Sequence, residues 1–82
     1  MQNKFRTKDE LFLCALHAMT ADQPGVALDR YLVGKRAGLQ ERGVNAICAL
    51  LIRANFIKKA GEENLIILTP HGMALAVQLQ EH

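Results

Sequence analysis

The chain has 82 residues, half of them apolar and 22% charged, with two prolines, six glycines and a formal net charge of +2. That length is expected to hold one small domain, which buries only roughly 60 to 65% of its unfolded surface and gains from a partner subunit. No apolar run approaches the roughly 18 residues of a membrane span, no export signal is visible, and two cysteines are too few for a disulfide framework or a zinc ribbon. The expectation is a reducing, cytoplasmic setting without membrane contact.

In chain order, Thr7 and Glu10 form a TxxE capping box. Phe12, Ala15, Leu16 and Met19 then recur at helical spacing, which predicts a first helix over 8–19. Pro24 and Gly25 mark a turn. Leu28, Tyr31 and Leu32 step by three and four, so a second helix is expected over 27–37, with Gly38 as a left-handed cap and Gly34 as an internal weak point. Val44, Ile47, Leu51 and Ala54 supply one face of a third helix over 41–55. The period then changes to strand, polar turn and strand over 57–69. The second strand, Leu65 to Leu68, is apolar on both sides and is expected to lie inside the fold rather than at an edge. Thr69 as N-cap and Pro70 at N1 open a last helix over 70–80.

The order αααββα, mainly α with a small β-hairpin, resembles the winged helix-turn-helix domain over about residues 8 to 79. Residues 28–39 look like the first helix of a helix-turn-helix and its Gly-Leu turn. Residues 68–76, LeuThrProHisGlyMetAlaLeuAla, are similar to the LTxxGxxLA segment that follows the wing in regulators of the multiple-antibiotic-resistance repressor (MarR) type. The resemblance implies a small DNA-binding transcriptional regulator whose third helix enters the major groove of duplex DNA, braced by the second helix and the wing. Gln40, Arg42 and Asn45 match groove-side positions able to hydrogen-bond base edges, with Ala46 and Ala49 beside them. Lys35, Arg36, Lys58 and Lys59 match positions near phosphates, and a loose basic arm from Lys4 to Lys8 would add a nonspecific contact. A dimer on a pseudo-palindromic site is the implied mode of binding.

The residues also support a second class of function. Residues 46–52 are apolar around the whole helix, and the wing tip carries Glu62 and Glu63 where lysine or arginine would seek phosphate. Both features suit a winged-helix module that docks on another protein without touching DNA. In the last helix, Met73, Ala76 and Val77 form one face and Leu75 and Leu79 another, so a homodimer through the terminal helices is expected.

Cys14 and His17 are three apart on one helix, yet a zinc site needs three or four ligands. Cys14 and Cys48 read more naturally as small core residues than as a redox pair. His71, at the positive end of a helix, reads as a surface residue rather than an acid or base. No nucleophile motif, carboxylate pair or cofactor fingerprint is present, so neither an enzyme nor a bound cofactor or metal is expected.

Overall fold

The computed structural model describes residues 6–81, and its elements run α1 (Lys8–Met19), β1 (Leu28–Asp29), α2 (Arg30–Arg36), α3 (Glu41–Arg53), β2 (Ile57–Lys59), β3 (Leu65–Leu68) and α4 (Pro70–Gln80). The helices carry most of the chain, and the three short strands form one antiparallel sheet in the order β1-β3-β2. The apolar strand β3 is therefore central, flanked on both edges.

Helices α1, α2 and α4 each begin on a side chain that satisfies an otherwise orphaned amide. At α1 the capping box is complete: Thr7 Oγ1 accepts from Glu10 N at 3.3 Å and Glu10 Oε1 accepts from Thr7 N at 3.1 Å. The expected start of the second helix at Ala27 is corrected by three residues. Leu28 and Asp29 are extended and pair with Ile66 and Leu65, and the Asp29 carboxylate accepts from Tyr31 N at 2.8 Å to open α2. An aspartate N-cap and an unpaired edge of β3 together outweigh the helical spacing of Leu28, Tyr31 and Leu32.

The ends of α2 and α3 follow one design. Beyond α2, Gly38 N donates to Lys35 O and Leu39 N donates to Gly34 O, with Gly38 at φ 80°. That is a Schellman cap, and it turns Leu39 back onto the core. Beyond α3 the same pair of bonds runs from Asn55 N to Ile52 O and from Phe56 N to Leu51 O, with Asn55 at φ 68°. Asn55 thus lies outside the helix that the spacing extends to it, because asparagine tolerates the left-handed conformation that stops the helix.

The core is built from Phe12, Leu13 and Leu16 of α1, Val33 of α2, Val44, Ile47, Cys48 and Leu51 of α3, Ile57, Ile66 and Leu68 of the sheet, and Ala76 of α4. Two glycines set the closest approaches. A Cβ on Gly34 would stand 2.5 Å from Val44 Cγ2, so α2 and α3 meet where only a hydrogen fits. A Cβ on Gly72 would run into the Phe56 carbonyl, which fixes the first turn of α4 against the exit of α3. Thr69 ties the same corner: its hydroxyl donates to Asn55 O at 2.7 Å and accepts from Gly72 N at 2.9 Å. The segment LeuThrProHisGly is therefore a cap, a helix start and a contact in five residues.

Candidate nucleic-acid interface

The outward stripe of α3 is polar in its first half and apolar in its second. Gln40 is the N-cap, yet its side chain makes no capping bond and stays exposed, as do Arg42 and Asn45. Ala46, Ala49 and Leu50 continue the exposed face, with Leu50 at 57% of its full exposure. The helix is thus less uniformly buried than an all-round apolar segment suggests: Val44, Ile47, Cys48 and Leu51 point inward, and the remaining apolar side chains are small or sit near its end.

Gln40 and Arg42 line a groove of about 440 Å³ together with Lys8, Gly38, Leu39, Gly43 and Ile47. Among the described residues two cations and no carboxylate line this space, which favours an anion. Lys8 borders it from the first residue of α1, and so belongs to a helix rather than to the expected loose arm. Arg6, from the same stretch, turns inward: Arg6 Nη2 donates to Leu79 O at 2.9 Å and Nη1 to Cys14 Sγ at 3.6 Å. Its charge serves the last turn of α4, where helix carbonyls lack partners. Lys4 lies outside the described residues.

Leu39 also lines a second groove, of about 330 Å³, with Tyr31, Lys35 and Glu41. There Lys35 shares the space with a carboxylate. Arg36 is exposed in the last turn of α2, where a cation also complements the helix dipole. Lys58 and Lys59 are exposed on the edge strand β2. Lys58 stands opposite Ile67 and borders a third groove with Pro24, Gly25, Pro70 and Met73, which shares no residue with the other two. The seven residues read from the sequence are thus distributed: Gln40 and Arg42 share a groove, Lys35 borders its neighbour, Lys58 borders a separate one, and Arg36, Asn45 and Lys59 line none of these three.

Arg30 is the residue the sequence reading missed. It is the first residue of α2 and only 8% exposed. Its Nη1 donates to Asn45 Oδ1 at 3.3 Å and its Nη2 to Glu63 O at 3.2 Å, while its backbone N donates to Asn64 O at 2.9 Å. One side chain therefore fastens α2, α3 and the hairpin turn together. Tyr31 Oη adds a bond to the same Asn45 oxygen at 3.2 Å. The available signal was electrostatic: a cation at a helix N-terminus is opposed by the dipole and calls for partners elsewhere.

Two further sites are settled by burial and contact. His71 is exposed and stacks on Phe56, with ring centroids 4.7 Å apart and planes within 13°. Cys14 and Cys48 are free and buried. Burial pushes the Cys48 thiol above its ordinary pKa, against a smaller opposing pull from the Arg30 guanidinium. Among the described residues no group of three or more His, Cys, Asp or Glu is placed to hold a metal, and no helix is long and apolar enough to cross a membrane.

A three-helix core handing directly to a two-stranded ribbon, with a short third strand and a closing helix, has a counterpart among solved structures. A MarR family regulator from Neisseria meningitidis superposes with a TM-score of 0.62 at 25% identity, over 88% of this chain and 51% of that one. The fold is a winged helix. In its terms α2 and α3 are the helix-turn-helix and the β2–β3 hairpin is the wing. This chain spans about half the length of the regulator it resembles. No family model matches the sequence, and no curated protein matches it.

The winged helix disposes of α4 differently from the two-face reading of its sequence. Met73, Leu75 and Ala76 all pack on the core, Leu79 is half-buried, and Val77 is 40% exposed. Leu75 is thus covered within the chain and Val77 is not.

Proposed function

We propose that the protein is a cytoplasmic, non-catalytic transcriptional regulator that binds duplex DNA through its winged helix. The carrying observation is the cationic groove at the turn between α2 and α3, where Gln40 and Arg42 from the start of α3 meet Lys8. The first residues of a recognition helix are those that reach base edges. Similarity to a MarR family regulator supports the same reading. In it Gln40, Arg42 and Asn45 face bases, while Lys35, Arg36, Lys58 and Lys59 contribute phosphate contacts, and a homodimer places two such domains on two half-sites.

The test is duplex-DNA binding measured across a salt series. Arg42→Ala is expected to weaken binding and relax the preference at one base position, whereas Lys35→Ala is expected to reduce the salt slope by about 1, the loss of one phosphate contact. Unchanged affinity and preference in Arg42→Ala remove α3 from the proposed position. Sedimentation is expected to show a dimer, and a strict monomer at high micromolar concentration would remove the two-half-site arrangement.

A second reading rests on the exposure of Leu50 and of Leu32, which is 53% exposed on α2. Apolar side chains of this size in water suit a protein-docking face. Retention on heparin and a shift of duplex DNA at moderate salt decide against it; their joint absence decides for it.

A further inference from the structure

We infer that Asn45 is a specificity-determining residue that presents only a hydrogen-bond donor to DNA, and so favours guanine, rejects cytosine and gives up the bidentate contact with adenine in the major groove. This rests on the DNA-binding reading above. The argument starts from Arg30, whose guanidinium carries donors and no acceptor. Because Arg30 Nη1 stands 3.3 Å from the Asn45 amide, the amide atom facing it has to be the oxygen. The orientation of the amide is thus fixed by chemistry. Tyr31 Oη, at 3.2 Å from the same oxygen, then has to donate as well.

Both lone pairs of Oδ1 are thereby used. Arg30 holds this arrangement firmly, since it is buried and its other terminal nitrogen is bound to Glu63 O. What Asn45 offers from the exposed face of α3 is its Nδ2 amino group. An asparagine free to use both amide atoms reads adenine bidentately, accepting from N6 and donating to N7. Here the accepting half is occupied. The remaining donor meets two acceptors on guanine, O6 and N7, one on thymine, O4, and one on adenine, N7, and finds none on the major-groove edge of cytosine.

The experiment is selection of sites from a randomised duplex library, followed by titration, with the full chain and with Asn45→Asp and Asn45→Ala. Aspartate keeps an oxygen for Arg30 and Tyr31 but replaces the outward amino group by an acceptor. The wild type is expected to show one position that excludes cytosine and favours guanine, the base with two acceptors. In Asn45→Asp that position changes to cytosine or adenine, whose exocyclic amines donate, and in Asn45→Ala its preference falls by roughly two- to tenfold to near indifference. Tyr31→Phe frees one lone pair of Oδ1 and is expected to raise adenine relative to guanine there, by adding the bond from N6. Melting curves report folding separately, and Asn45→Asp is expected to melt no lower than the wild type. A wild-type preference for adenine that Asn45→Ala abolishes, or a consensus identical in all three proteins, overturns the assignment while leaving DNA binding intact. Failure of the wild type to bind any duplex overturns the DNA-binding reading and this assignment with it.

Discussion

Gly34 shows how one missing side chain can outweigh a helix propensity. Alanine at an interior helical position gains about 1 kcal/mol over glycine, yet here its methyl would stand 2.5 Å from Val44 Cγ2. Overpacking of a close-packed site costs about 1 to 3 kcal/mol. Gly34→Ala is therefore expected to lower stability in denaturant titration, and Val44→Ala in the same chain to recover part of the loss. Full additivity of the two changes would show that the helices do not meet at this point. Cys48 gives a residue-scale prediction in pH. Burial raises its folded pKa above the ordinary value of 9.0, so the unfolded chain loses the proton first. Stability is then fully present below about pH 9 and falls as pH rises towards the folded pKa. Denaturation midpoints from pH 7 to 10 should fall less steeply for Cys48→Ala than for the wild type, and parallel curves would refute the account.

At the scale of elements, what was legible in the sequence is what is local. Thr7 with Glu10 and Thr69 with Pro70 announce helix starts within four residues, and Gly38 announces a helix end. The structure bears out each of these. Strand β1 was not legible, because Leu28 is extended only through pairing with Ile66, far along the chain. Arg30 was missed for the same reason, since its partners Asn45 and Glu63 come from two other elements. Asn55 could have been read as a helix end, but a continuing apolar period hid it. Two element-scale predictions follow from the packing. Leu51→Ala, at a site 3% exposed in the middle of the core, is expected to cost about 2 to 5 kcal/mol. Thr69→Val removes the cap of α4 and the bond to Asn55 O together. It is expected to cost about 1 to 2 kcal/mol, and a melt within experimental error of the wild type would show that the corner holds without it.

For the whole molecule, the proposed binding of a polyanion has to be squared with a charge of only +2, a wing tip that carries Glu62 and Glu63 and an apolar far half of α3. The charges are arranged to compensate: Lys8 and Arg42 are drawn to one end of α3, and the wing turn is bound by its backbone to buried Arg30. On that arrangement affinity should concentrate at the helix-turn-helix and depend little on the wing tip. Leu50→Lys separates the two readings of function. On DNA it adds a cation to the exposed face of α3 and is expected to tighten duplex binding and to increase the salt slope by about 1. If α3 instead seats on a protein, the same change leaves DNA affinity absent and abolishes the complex.

The bond from Arg6 to the Leu79 carbonyl bears on how the domain can be rewired. It brings the two ends of the described chain within one arginine's reach of each other. A short glycine bridge from residue 81 to residue 6 should close the polypeptide into a ring without distorting α1 or α4. New ends opened in the exposed turn at Pro24 and Gly25 would then yield a circular permutant with the same core.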